Sequence, residues 1–258
     1  MNVLVFDIET VPDIAGAKKI WDLENLADDD IKSFLSTSRL QDTSGRTDFL
    51  KHHFHKIVSI SVAIRNKDKF KLWSLGEESS SERELLIRFF SGIEKYEPTL
   101  ISWNGKGFDL PVIHYRALIN KVASSVYWET GEERREFKFN NYLSRYHQRH
   151  LDLMDILAGY SANAYARLDE IASMCGFPGK MGLSGGDVSL KYENGEISEI
   201  RNYCETDVLN TWLVYLKFEL MRGNLTEKEY FKEIEITQEF LTDADADLFD
   251  EFKKALAL

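Results

Sequence analysis

The sequence predicts an α/β fold, a mixed five-stranded sheet flanked by helices. Three observations carry this. Two β-rich runs, Ile57–Ile64 and Lys69–Leu75, follow an apolar N-terminal strand and make a natural antiparallel meander with it. Helical stripes then alternate with two short buried strands. Finally, no linker separates two cores, and there is no internal repeat.

In order, Val3 to Ile8 is rich in β-branched and aromatic residues, and Pro12 ends the strand. Asp13 to Lys56 is polar, with helical character around Gly16 to Asp30 and a loose Ser/Thr/Gly stretch from Ser36 to Arg46. So long a connection between strands reads as a partly helical insertion at about 13–55. The second and third strands join through a turn at Asn66-Lys67-Asp68. Ser81-Glu82-Arg83-Glu84 opens a helix to about Tyr96, with Leu85, Leu86, Phe89, Phe90 and Ile93 on one stripe. Thr99 to Trp103 is a short buried strand, and Asp109 to Asn120 a helix that tolerates Pro111 in its first turn. His150 to Leu153 is the fifth strand. Helices follow at Tyr165–Met174, Glu196–Met221 and Glu227 to about Phe240, the first two separated by glycine-rich sequence from Gly176 to Gly186.

The 258 residues carry 32 Lys+Arg against 43 Asp+Glu, a net charge of −11, which argues against holding nucleic acid by bulk positive charge. Hydrophobic residues make up 43% and prolines number four, so a disordered or fibrous chain is excluded. Cys175 and Cys204 are too few for a disulfide framework or a cysteine-built zinc site. The N-terminus lacks a basic leader and no apolar run is long enough to span a bilayer. The expectation is a soluble, cytoplasmic protein with no membrane partner.

Asp7 and Glu9 are two apart, so on a strand they share a face. At roughly 4 Å and an effective dielectric near 20, two like charges repel by about 4 kcal/mol. A divalent cation removes that cost, and oxygen ligands suit Mg²⁺ or Mn²⁺; a strand running out into an acidic turn is the plainer explanation. In Trp103-Asn104-Gly105-Lys106-Gly107-Phe108-Asp109, a strand meets two glycines and then an acid at a helix start. The glycines let a ligand approach the backbone, and Asn104 and Lys106 offer donors. Phe108 is a stacking ring for a base or a core residue, and Asp109 alone reads equally as an N-cap. Tyr203 and Asp207 stand at i and i+4 of a helix, one turn apart on one face.

These three pieces, in this order, resemble the motifs of the DEDD 3′–5′ exonuclease superfamily, whose fold is ribonuclease H-like. Phe6-Asp7-Ile8-Glu9-Thr10 resembles the first motif, Asn104 through Phe108-Asp109 the second and Tyr203 to Asp207 the third. The tyrosine four residues before the last acid marks the DEDDy subtype. The N-x-x-x-F-D form is most similar to the proofreading domain of family-B DNA polymerases, and the chain resembles stand-alone bacterial proteins related to that domain. The resemblance spans about Met1 to Arg222.

It implies two metal ions, Mg²⁺ or Mn²⁺, held by Asp7, Glu9, Asp109 and Asp207, with Tyr203 beside the attacking water. It implies Thr10, Asn104, Lys106 and Phe108 as substrate contacts, and single-stranded 3′ ends as substrate, DNA ahead of RNA. Trimming of RNA 3′ ends is the alternative within the class. A nucleic-acid-binding or scaffold protein with weak catalysis is the alternative outside it.

Between Arg134 and His150, Arg134, Arg135, Lys138, Arg145 and Arg149 interleave with Phe137, Phe139, Tyr142 and Tyr146, either a single-strand stacking groove or a surface loop over a core edge. Lys51, His52, His53, His55 and Lys56 form a second basic cluster. Asp152 and Asp155 are supporting acids or, for Asp155, a helix N-cap. Lys180 and the loop of Gly182, Gly185 and Gly186 are a phosphate contact or a connector. The expected domain ends near 225, and 226–258 is expected to be a solvated acidic tail with a helical beginning, open to a protein partner. Asp243, Asp245 and Asp247 lack the glycine and distal glutamate of a calcium loop.

Overall fold

The computed structural model describes residues 1–67, 69–179, 182, 185–244 and 247–256. The chain runs β1 (Asn2–Pro12), α1 (Ile14–Trp21), α2 (Asp28–Asp42), β2 (His55–Asn66), β3 (Lys69–Ser74), α3 (Glu82–Tyr96), β4 (Thr99–Ser102), α4 (Asp109–Asn120), α5 (Ser125–Trp128), β5 (His150–Asp152) and α6 (Leu153–Leu157). It continues with α7 (Leu168–Met174), α8 (Val188–Glu193), α9 (Ile197–Met221), α10 (Glu227–Asp243) and α11 (Asp250–Leu256). One five-stranded sheet has the order β3-β2-β1-β4-β5. The β1–β2 and β2–β3 pairs are antiparallel, whereas β1–β4 and β4–β5 are parallel. This is the mixed sheet of a ribonuclease H-like α/β fold.

Alternation along β1 sorts the two cores. Val3 and Val5 face α9, packing with Val208, Leu209, Trp212 and Leu213. Leu4, Phe6 and Ile8 face the other way, onto Leu86, Phe89 and Phe90 of α3 and Val112 and Ile113 of α4. Ser81 caps α3 through the amide of Glu84, as its spacing predicts. Next to Glu9 the β1–β2 register shifts, Glu9 opposing Ser59 and Thr10 opposing Ile57, so Val58 is extra. Bulges of this kind bend a strand and re-aim its side chains.

The insertion is more helical than its composition suggests. Asp13 caps α1 through the amide of Gly16, and α2 continues to Asp42, through the stretch expected to be loose. Ile31 and Leu35, one turn apart among serines and threonines, bury against Ala17 and supply the reason. The insertion is pinned by Arg116, which pairs with Asp13 and with Glu82, the latter at 2.6 Å. The turn at Asp68, the loop position Lys180 and Asp245 lie outside the described residues.

The C-terminal segment departs from the solvated tail expected of it. Ile234, Leu241, Phe249, Phe252 and Leu256 are buried in the same core as Trp212, and Trp212 Nε1 donates to Thr237 Oγ1 at 3.0 Å. Arg65 of β2 grips Glu233 with two hydrogen bonds, at 2.6 and 2.9 Å. The apolar spacing of α10 therefore serves this chain's own core, while its acids other than Glu233 lie on the outer surface. No helix among the described residues is long and apolar enough to cross a membrane.

Candidate active site

The face of β1 that carries Val3 and Val5 also carries Asp7 and Glu9, so both carboxylates point toward α9. Glu9 is only 8% exposed, and no hydrogen-bond donor to its carboxylate exists among the described residues. Above them, α9 presents Tyr203, Cys204 and Asp207. The helix is locked at this height by two residues the sequence did not single out. Glu205 accepts the Ser74 amide at 2.8 Å and its hydroxyl at 2.7 Å, and Arg201 donates to the carbonyls of Ser74, Leu75 and Gly76. Both are polar helix residues with no spacing signature, and only the fold reveals their partners. The Cys204 thiol donates to the Asp7 carbonyl at 3.4 Å and lies 3.5 Å from Asp7 Oδ2.

Asp109 arrives from the opposite layer. Phe108, not Asp109, holds the N-cap position of α4, and Asp109 Oδ1 instead accepts the backbone N–H of Ile8 at 3.2 Å. The fourth acid is thereby tied between Asp7 and Glu9.

The electrostatics record the crowding. Burial, then the charges of Asp109, Glu9 and Asp207, hold the Asp7 carboxyl well above the usual range. Glu9 is raised by burial and by Asp207 and Asp109. Burial pushes Asp109 up to about 7. Asp207 rises to about 6, mainly through burial, with the Tyr203 hydroxyl pulling down and Asp169 pushing up. The Tyr203 phenol is itself raised, by burial and then by Asp207, Glu9 and Asp7. Carboxylates gathered this closely favour either protons or a cation. Ligand atoms of Asp7, Glu9 and Cys204 lie within 4.8 Å of one another, and the oxygen-dominated donor set fits a hard divalent ion.

The turn before Asp109 is built tightly. Asn104 adopts a left-handed backbone with φ of 64°, and its carbonyl accepts the amides of Gly107 and Phe108, both at 2.9 Å. A Cβ on Gly105 would stand 2.2 Å from Ser102 Oγ, so glycine is required there. Asp152 grips the turn from β5, its two oxygens accepting the amides of Asn104 at 3.0 Å and Lys106 at 2.8 Å. Asp152 is also the N-cap of α6, the position expected of Asp155; Asp155 instead takes a two-pronged ion pair from Arg145 and the Tyr165 hydroxyl.

A cleft of about 380 Å³ opens over Tyr203 and Asp207, walled by Trp103, Asn104, Tyr165, Arg167 and Asp169. Gly185 of the glycine-rich loop also borders it. Tyr165, Arg167 and Asp169 were legible only as parts of a helix, and that helix in fact begins later, at Leu168. Of the expected substrate contacts, Asn104 lines this cleft. Thr10 bonds His55 Nδ1 at 2.9 Å. Lys106 turns into a neighbouring cleft of about 430 Å³, where its ammonium donates to the Arg145 carbonyl at 2.9 Å. Phe108 packs among Phe49, His52 and His55.

The basic, aromatic segment at 134–150 turns inward. Arg134 makes a two-pronged pair with Glu97, Arg149 lies 3.9 Å over Phe137, and Arg145 is taken by Asp155. Phe137 and Tyr142 are buried, leaving Phe139 and Tyr146 as the exposed rings. The surface-loop alternative describes it better than a stacking groove.

A strand-borne acid pair, an acid at a helix start and a helical Tyr–Asp pair thus meet at one end of the ribonuclease H-like sheet. The chain belongs to the family of predicted 3′-5′ exonucleases related to the exonuclease domain of PolB, whose family model matches residues 47–256. It is similar to the DNA polymerase of Archaeoglobus fulgidus, 24% identical over 167 residues that cover 61% of this chain and 19% of the polymerase. It is also similar to DNA polymerase 1 of Sulfurisphaera ohwakuensis, 40% identical over 76 residues, 24% of this chain and 9% of that one. The chain thus spans a fifth or less of these curated relatives.

Proposed function

We propose that this protein is a two-metal-dependent 3′–5′ exonuclease of the DEDDy type, hydrolysing phosphodiester bonds at single-stranded 3′ ends, DNA ahead of RNA. The observation that supports this is the mutual proximity of Asp7 and Glu9 on β1, Asp109 at the start of α4 and Asp207 on α9, whose charges raise one another's carboxyls, with Asp207 and Tyr203 lining the cleft. Family membership supports the reaction, and the names of the matched polymerases support DNA.

Asp7, Glu9, Asp109 and Asp207 would hold Mg²⁺ or Mn²⁺. When bound, a metal pair supplies an acidified water and neutralises charge on the attacking and leaving oxygens. The chain's residues do the rest. Tyr203, one turn before Asp207 on α9 and lining the cleft, would orient the attacking water or help to deprotonate it. Asn104 lines the cleft wall in a turn that Asp152 holds by two amides, which would limit how far the scissile phosphate can wander. Trp103 and Tyr165 offer ring faces to the terminal nucleoside.

Both cysteines are free thiols, which suits action in a reducing cytoplasm. A protein partner at the C-terminal segment would meet chiefly its acidic outer surface, since the apolar face is packed inside.

The test is incubation of the wild type and an Asp7→Ala/Glu9→Ala double variant with end-labelled single-stranded DNA and RNA, in Mn²⁺ or EDTA. Stepwise shortening from the 3′ end of DNA, by wild type with metal alone, is expected. Faster trimming of RNA would move the substrate to the alternative. Tight binding without cleavage of either polymer would overturn the enzymatic reading in favour of a binding module.

A further inference from the structure

We propose that Phe49 and His52 of the insertion join Phe108 to form a stacking site for an unpaired base of the substrate strand, beside the acid cluster. The inference rests on the reading of this protein as a nuclease of single-stranded ends, and it adds residues from a segment to which the resemblance assigns no role.

Phe49 is an apolar ring left 55% exposed on an acidic protein, yet it is held in place. Arg39 Nε donates to the Phe49 carbonyl at 2.8 Å, and the Phe49 amide donates to Thr47 Oγ1 at 3.1 Å. One side of the ring rests 5.4 Å from Phe108 and 5.2 Å from His55, centroid to centroid. His52 approaches from the same arm, its Nε2 donating to the Gly107 carbonyl at 2.8 Å and its ring 5.8 Å from Phe108. His55 stands edge-on to Phe108 at 5.0 Å while bonding Thr10. These rings are therefore contiguous with Thr10, next to Glu9, and with Phe108, next to Asp109.

The occupant follows from chemistry and from place. The nearby cations are engaged elsewhere, Lys51 with Asp42 at 2.9 Å and Arg39 with the backbone, so this arm has little to offer a phosphate. What it does offer is π-faces, which attract any base regardless of sequence. In the segment at 134–150, the other basic and aromatic stretch, Arg134 and Arg145 are held in ion pairs and Phe137 and Tyr142 are buried, which leaves it less to offer a strand than the insertion. The continuity with the acid cluster places the occupant among the unpaired nucleotides of the strand entering the site.

The test measures equilibrium binding of labelled single-stranded DNA in Mg²⁺, using an Asp7→Asn background that leaves the probe intact. Phe49→Ala and Phe49→Leu should each weaken binding about tenfold, and Phe49→Trp should restore it. Replacing successive bases near the 3′ end by abasic sites should abolish the difference at one position. Unchanged affinity in Phe49→Ala, wild-type affinity in Phe49→Leu, or a penalty indifferent to abasic position would each overturn the stacking site. Cleavage by the wild type is scored separately: binding in the expected pattern without cleavage keeps the stacking site and removes the exonuclease. Cleavage without the pattern does the reverse.

Discussion

Asp109 Oδ1 accepts the backbone N–H of Ile8 at 3.2 Å, so the acid that opens α4 is hydrogen-bonded to the strand residue lying between the other two. The carboxylate thus closes the gap between layers, and in the proposed mechanism it has a second task, serving a metal. The tasks separate by substitution. Asp109→Asn keeps an acceptor for Ile8 and should fold with wild-type or higher stability in EDTA while losing activity. Asp109→Ala leaves a buried amide unsatisfied and should lose about 1–3 kcal/mol in urea unfolding. Equal stabilities for the two variants would show that the hydrogen bond does not matter to the fold.

The mutual repulsion of the acids sets a second expectation. In EDTA, Asp7→Asn should melt above the wild type, because it removes one charge from a buried cluster. Adding Mn²⁺ should raise the wild-type Tm and leave Asp7→Ala nearly unmoved. Differential scanning fluorimetry reads both. A full metal-induced shift in Asp7→Ala would remove Asp7 from the ligand set.

Asp152 is tied to two amides of the Asn104 turn and to its own helix start, so Asp152→Ala frees three donors together. The expected cost is about 1–3 kcal/mol of stability, by chemical denaturation, and a fall in kcat for single-strand cleavage larger than any rise in KM. Wild-type kcat in a folded variant would show that the turn holds its shape unaided.

His150 sets the acid side of the stability curve. It is fully buried, with Nε2 on Ser102 Oγ at 2.7 Å, and burial holds its pKa down at about 3. The native imidazole is therefore neutral, whereas the unfolded one takes up a proton near pH 6.5. Its contribution is intact above pH 6.5 and is lost as pH falls from there toward 3, at up to about 1.4 kcal/mol per pH unit. His114, held down at about 4 by burial, adds in the same sense. Urea midpoints of wild type and His150→Gln between these limits should diverge, the variant showing the flatter profile. Parallel profiles would mean that His150 does not titrate on unfolding.

Short-range rules made much of this molecule legible. The β1 alternation, the α3 stripe under Ser81 and the start of α4 need only neighbours within one turn or one strand, and the structure places them as expected. The acids were visible because each sits where a strand or helix has no use for it. What the sequence concealed was always the partner. Glu205 finds Ser74, Arg201 three carbonyls of the same corner, and Arg145 finds Asp155, none at a local spacing that flags the pairing. The basic loop stayed open between two readings for the same reason, since charge in a sequence does not reveal that Glu97 pairs with Arg134. In the C-terminal segment, ten acids outweighed an apolar stripe in the reading, while in the fold the stripe meets Trp212, Glu233 is buried against Arg65 and the other described acids are exposed.

That last packing has a consequence for the order in which the molecule is made. On a ribosome, α9 emerges with Tyr203 and Asp207 already in place along it, but Trp212 and Leu216 remain without α10 and α11 to cover them. The helix can settle fully against the sheet only once α10 and α11 are available to cover it. A nascent chain thus carries Asp7, Glu9, Asp109 and Asp207 before α10 and α11 complete the core that holds α9 in place.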